Sequence, residues 1–250
     1  MTSLDLNADL GEGMPNDQAL LAIVSRASIA CGGHAGTEDS MRAALRGAKA
    51  AGVVAGAHPG FADPENFGRL RLELSTDELT RQMREQLETL GGLAREEGVA
   101  LRYVKLHGAL ANMAAEDELV ASVAFAAVRN HDPSLAILAI DHSAQVAAAE
   151  ALGLAVIREA YADRAYQANG QLVPRSAEGA VIEDAEFIAE RAIRLATQGE
   201  LVAIDGTVIP TAATSLCLHG DNTGAVAIAR LLRERLTAVG IAIATGETSI

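Results

Sequence analysis

The sequence predicts an α/β fold in which about seven parallel strands close, or nearly close, into a (β/α) barrel, and three observations lead there. Short apolar runs alternate with longer stretches of helical period along all 250 residues, the order of a parallel sheet whose crossovers are helices. The first run, "LDLNADLGEG" at 4–13, puts Leu4, Leu6 and Ala8 on one side and Asp5, Asn7 and Asp9 on the other. An open doubly wound sheet would place a glycine-rich nucleotide turn after this run. "DLGEG" does not fit GxGxxG, and GxxxxGK[ST] occurs nowhere.

Strands are expected at 3–9, 27–31, 53–58, 102–107, 135–140, 155–159 and 215–219. The helices between them carry apolar stripes. In the third helix Leu79, Met83, Leu87 and Leu90 recur at i, i+4, i+8 and i+11, behind a capping box of Ser75 and Glu78. Near the end Ala225, Ile228, Leu232, Leu236 and Val239 repeat the pattern. Two stretches leave this rhythm. Residues 160–182 read as a long loop, and "VAIDGTVIP" at 202–210 reads as a hairpin turning at Asp205 and Gly206, which makes Asp205 a turn residue rather than a catalytic one. No linker or composition break divides the chain, so one barrel domain over 1–250 is expected.

A chain that is 50% hydrophobic can bury a large core, and no run approaches the ~20 apolar residues that span a bilayer. Asp5 and Asp9 sit where a secretory signal would need its apolar stretch. A net charge of -13 repels nucleic acid and anionic membranes, which excludes both as partners while leaving room for a small anion at a local basic cluster. Cys31 and Cys217 are too few for a disulfide framework and read as free thiols of a reducing compartment, the cytoplasm.

The alternation of the first strand fits a half-exposed strand facing water as well as a barrel. In a barrel ringed by helices the outer face must be apolar, so Asp5, Asn7 and Asp9 point inward. Tyr103, Lys105 and His107 share a side in "RYVKLHG", Ser215, Cys217 and His219 do so in "SLCLHG", and His58 ends its strand. Four of the six histidines, His34, His58, His107 and His219, stand near C-terminal strand ends, where barrels place chemistry, and each is followed within two residues by glycine. A lone histidine there is commonly a satisfied structural residue, whereas four in equivalent positions point to a site. Asp9, Glu12, Glu159, Asp163 and Asp221 converge on the same rim and need cations, donors or a metal, with Lys105 and Arg164 available. The residue types fit general acid/base hydrolysis and metal-assisted hydrolysis alike, and no HExxH-like spacing selects a metal.

Several blocks together resemble the LamB/YcsF family: "DLNADLGEG", "IACGGHAG" with Met41 following, "GAHPGF" with "FGR", "VKLHGAL", "EAYADRAY", "GQLVPR" and "CLHGDN", in the family's order over nearly the whole chain. The resemblance implies a seven-stranded irregular (β/α) TIM-like barrel of the glycoside hydrolase/deacetylase type. It implies the activity of the A subunit of bacterial ATP-dependent 5-oxoprolinase, cleaving 5-oxo-L-proline to L-glutamate with ATP as cofactor, in a complex with B and C subunits. Without a phosphate loop of its own, this chain is expected to open the ring while its partners handle much of the nucleotide chemistry. Asp9, His34, His58, His107 and His219 then form the catalytic core, with Glu12 as an alternative base. Lys105 and Arg164 anchor a carboxylate or phosphoryl group, Asp163 and Asp221 orient these groups, and Asn7 joins the substrate-binding set. A divalent metal is left open. Leu106, Ala111 and Thr37 depart from the family's usual Pro, Tyr and Asp and bear on pocket walls and a loop. The rival readings are a metal-dependent amide or N-acetyl hydrolase of carbohydrates and a noncatalytic binding subunit.

Overall fold

Leu4, Leu6, Ala8 and Leu10 are fully buried on one side of the first strand, and the rest of the architecture follows from covering that side with helices. The computed structural model describes residues 3–218 and 224–245. Its strands are β1 (Ser3–Leu10), β2 (Arg26–Ala30), β3 (Val54–His58), β4 (Leu101–Val104), β5 (Ala136–Ile140), β6 (Val156–Tyr161), β7 (Glu200–Val202), β8 (Val208–Pro210), β9 (Ser215–Leu218) and β10 (Ala242–Ile243). The helices are α1 (Asp17–Leu21), α2 (Glu38–Ala51), α3 (Thr76–Glu97), α4 (Gly108–Glu116), α5 (Glu118–His131), α6 (Ala144–Ala151), α7 (Ala185–Gln198) and α8 (Ala225–Ala238).

β1 to β6 and β9 pair in parallel in that order, and β9 pairs again with β1, Asp5 opposite Ser215, so seven strands close into a barrel. The expected strands all appear, most with shifted ends; the seventh starts at Ser215 as expected, and its last expected residue, His219, lies outside the described residues. The largest shift is at β4, which stops at Val104, although Lys105 and His107 continue to donate backbone N–H groups to Ala57 and Pro59. A register break between β3 and β4 makes the ring irregular. β10 adds outside the ring, beside the start of β1. β7 and β8 form the expected hairpin, and Asp205 accepts the Thr207 N–H within its turn. Residues 162–184 form a long loop, tied by two isolated antiparallel bridges.

Helix ends obey local chemistry with two corrections. Ser75 caps α3 by accepting from the Glu78 N–H, but the Glu78 carboxylate turns to Arg81 and Gln82, so the capping box is only half formed. A complete box occurs at α2 instead, between Thr37 and Ser40, and Ser40 also donates to the Gly11 carbonyl. Thr37 therefore supplies the cap at this position itself. Val239 leaves the apolar stripe of α8, because the helix ends at Ala238 and its side chain is exposed.

Inside the ring the lower half is filled by a small apolar plug of Tyr103, Ala136, Leu138 and Ile157, separate from the large core under the helices. The Tyr103 ring lies over Gly56, where a Cβ would come within 2.5 Å of it. Gly56→Ala is expected to lower stability by about 1–3 kcal/mol, the ordinary effect of overpacking, measured by denaturant unfolding. Below the plug Asp5 pairs with Arg26 at 2.9 Å and accepts from Ser25 and Ser215. Asp5 thus points inward as expected, but closes the floor of the barrel and takes no part in the mouth.

Candidate active site

Above the plug the interior becomes ionic around one amine. Lys105 is buried, and its Nζ donates to Asn7 Oδ1 at 3.1 Å, Asp9 Oδ1 at 3.0 Å and Cys217 Sγ at 3.0 Å, and stands 3.0 Å from Glu159 Oε1. It also lies over the Tyr161 ring, 5.3 Å from the centroid. Asn7 gives its amide protons to Glu159 and Ser215. Burial alone would lower the lysine, but Asp9 and Glu159 hold it well above its ordinary value, so the ammonium stays charged. Burial pushes the Cys217 thiol well up, so its sulfur is a neutral acceptor rather than a nucleophile. Both cysteines are free and buried, and burial raises Cys31 to about 12.

Beside Lys105 three imidazoles meet. The rings of His34 and His107 stack at 3.5 Å, and His58 stands edge-on to both. His58 leaves the end of β3, His107 precedes α4, and His34 lies in the loop after β2. Glu12 Oε1 is 3.1 Å from His34 Nε2 and 3.5 Å from His107 Nδ1, while Asp9 Oδ2 is 3.4 Å from His58 Nε2. Burial, reinforced by repulsion from His58, lowers His34 to about 3 and His107 to about 2, which keeps both neutral. For His58 burial is outweighed by the Asp9 carboxylate, which raises it. Glycines leave room for this packing. At Gly68, with φ of +61°, a Cβ would meet the His34 Cβ at 2.7 Å.

Asp9, His58, Lys105, His107 and Glu159 face a cavity of about 510 Å³ at the C-terminal mouth of the barrel. Leu106 and Ala111, two of the departures noted above, form part of its wall. Arg164 also lines it, but its guanidinium donates to the carbonyls of Val173 and Ala180 and so braces the long loop. Asp163 lies at the base of that loop and is not among the lining residues. His219 and Asp221 lie outside the described residues.

The structure adds residues that the sequence reading passed over. Arg69, Arg71 and Arg175 are exposed on the cavity rim, Arg71 paired with Glu116 at 2.7 Å and Arg69 over the Phe67 ring. Gln86 of α3 clamps the Gly60 backbone through both its N–H and its carbonyl, and Gln82 accepts from the Ala62 N–H, which fixes the loop after His58. Their signal was present: both glutamines interrupt the buried stripe of α3, where a polar side chain needs a polar partner.

The model of the LamB/YcsF family matches residues 4–249. A relative from Agrobacterium fabrum, named as an A subunit of 5-oxoprolinase, is 45% identical over 248 residues, 97% of each chain. Among solved structures, a lactam utilization protein from Thermus thermophilus is 38% identical and superimposes with a TM-score of 0.91, over 97% of this chain and 99% of that one. A family 4 carbohydrate esterase from Streptomyces lividans, in complex with acetate, gives a TM-score of 0.53 at 11% identity over 98% of this chain and 92% of that one, a likeness of fold alone. The barrel is therefore of the TIM-like type that the blocks implied, with a fold similar to that of carbohydrate esterases.

Proposed function

Because the chain belongs to the LamB/YcsF family, we propose that it is the A subunit of an ATP-dependent 5-oxoprolinase, acting with B and C subunits to convert 5-oxo-L-proline to L-glutamate. The observation that carries this reading is a mouth cavity that joins a buried ammonium and carboxylate to a rim of arginines, in a chain with full-length relatives named for this enzyme and for lactam utilization. A volume of about 510 Å³ suits a small substrate.

The lactam is hard to open because its amine and carboxyl remain tethered in the product and re-close readily. ATP drives the reaction by phosphorylating the lactam oxygen with release of ADP, which makes the ring carbon open to water. Addition of that water and cleavage of the carbon–nitrogen bond, with a proton passing to the nitrogen, leave an acyl phosphate that a second water hydrolyses to L-glutamate and phosphate. Asp9 takes the proton of the first water, with Lys105 holding the carboxylate in place and balancing the charge that develops beside it. His58 and His107 form the adjoining wall, with His34 and Glu12 behind them. Arg69 and Arg175 anchor the substrate carboxylate or phosphoryl group, a task for which Arg164 is less available because its donors hold the loop.

The test is glutamate release from 5-oxoproline and ATP, with and without the B and C subunits. Release only in the complex supports the proposal, and release by this chain alone refutes the division of labour. Deacetylation of an N-acetylated sugar without glutamate release would move the assignment to a carbohydrate amide hydrolase. Full complex activity in Asp9 and His107 variants would make the chain a noncatalytic binding subunit. Arg69→Ala and Arg175→Ala are each expected to raise the KM for 5-oxoproline roughly tenfold or more, the loss of one charge-assisted hydrogen bond, with a smaller effect on kcat.

A further inference from the structure

Two hydrogen bonds decide where the imidazole lone pairs point. A carbonyl oxygen only accepts, so His58 Nδ1, 2.8 Å from the Lys105 carbonyl, carries a proton, and so does His107 Nε2, 2.9 Å from the Phe67 carbonyl. The remaining nitrogens, His58 Nε2 and His107 Nδ1, then face each other as lone pairs only 3.1 Å apart. Two lone pairs at that distance repel unless a cation, either a proton or a metal ion, sits with them. His34 turns Nε2 toward Glu12, and its buried Nδ1 has no hydrogen-bond partner, so Nε2 can offer a lone pair too once the ring tilts out of its parallel stack on His107.

We propose that Glu12, His34, His58 and His107 form a binding site for one divalent transition-metal ion of the zinc class. One ligand atom from each lies within 4.8 Å of all the others. Four-coordinate zinc with bonds of about 2.0–2.1 Å needs ligand atoms roughly 3.3 Å apart. The separations here are 3.1 Å for His34 Nε2 to Glu12 Oε1, 3.1 Å for His58 Nε2 to His107 Nδ1, and 3.5 Å for His107 Nδ1 to Glu12 Oε1. Backbone carbonyls on the outer nitrogens of His58 and His107 are the usual second partners of metal-bound imidazoles. Three imidazoles and one carboxylate favour zinc and its neighbours over magnesium or calcium, which prefer oxygen.

His58 and His107 also line the cavity, so an ion held here has one side open to the substrate space, with Asp9 next to it. Such an ion acidifies a bound water or polarises a carbonyl oxygen. The site does not depend on which substrate enters the cavity.

The experiment uses the full chain, stripped with a chelator and titrated with Zn²⁺ and with Co²⁺. One equivalent per chain is expected to bind, the cobalt form is expected to show the intense visible absorption of a low-coordinate ion, and saturating zinc is expected to raise Tm by about 5–10 °C. Glu12→Gln and His34→Gln are expected to weaken zinc binding by about 100-fold or more, and His131→Asn, at the end of α5, leaves it unchanged. Absence of stoichiometric binding by the wild-type chain overturns the site without reference to any variant. So does a weak six-coordinate cobalt spectrum, or a zinc-induced Tm shift that survives in both ligand variants.

Discussion

Lys105→Met is expected to abolish activity and to lower stability by about 3–5 kcal/mol, which for a chain of this size is a fall in Tm of roughly 6–20 °C by thermal unfolding. Methionine fills much of the same volume, so the loss is not chiefly a cavity. It comes from the carboxylates left behind. Glu159 is buried with its Oε1 3.0 Å from the amine, and Asp9 Oδ1 also lies 3.0 Å from it. With the ammonium gone, the buried Glu159 carboxylate is left beside the partly buried Asp9 with no cation between them. Lys105→Met/Glu159→Gln removes one of these charges and is expected to recover at least half of the lost Tm while remaining inactive.

The pH dependence has a defined sign. Burial already raises Glu159 while Lys105 opposes it. Without the lysine the folded-state value rises further above the unfolded one, so the group favours folding below its unfolded value and that contribution is lost as pH rises through the folded value. The Tm deficit of Lys105→Met is therefore expected to shrink on acidification and to be largest at neutral pH. A variant as stable as the parent at pH 7 would mean that the amine is not what neutralises this interior.

The barrel was legible because each strand carries its own evidence. A two-residue alternation in β1, repeated by the inward sets of later strands and not followed by a nucleotide turn, favours a ring with helices outside, and glycines after His58 and His107 mark the ends from which loops open. Depth along the strand was not legible. Asp5 and Asp9 lie on the same side, but four residues at about 3.3 Å each separate floor from mouth, and only the register with Arg26 and Ser215 shows which is which. The long loop posed a similar problem: one of its arginines must satisfy carbonyls of the loop itself, and sequence does not say that Arg164 does so while Arg175 reaches the rim. Mutual ring orientation is the least legible feature, since the facing nitrogens of His58 and His107 are set by carbonyls of Lys105 and Phe67, distant in the chain.

Asp9→Asn is expected to lower the activity of the assembled enzyme by about 10²–10⁴-fold, the contribution of a positioned proton acceptor, with little change in Tm. The substitution separates charge from shape. Asparagine keeps an oxygen to accept from Lys105 and fills the same space beside His58, where the carboxylate now lies 3.4 Å from Nε2. Lys105 also retains Glu159 as counter-ion, so no buried charge is left unpaired. What disappears is the property that the proposed chemistry requires of the residue, the capacity to take a proton from water at the cavity wall. If Asp9 merely balanced Lys105, the variant would keep activity within tenfold of the parent, and the acid/base role would pass to the neighbouring imidazoles and Glu12. If it is the acceptor, kcat falls while the KM for 5-oxoproline, set by the arginine rim, stays close to the parent's, and steady-state kinetics of the complex distinguish the two.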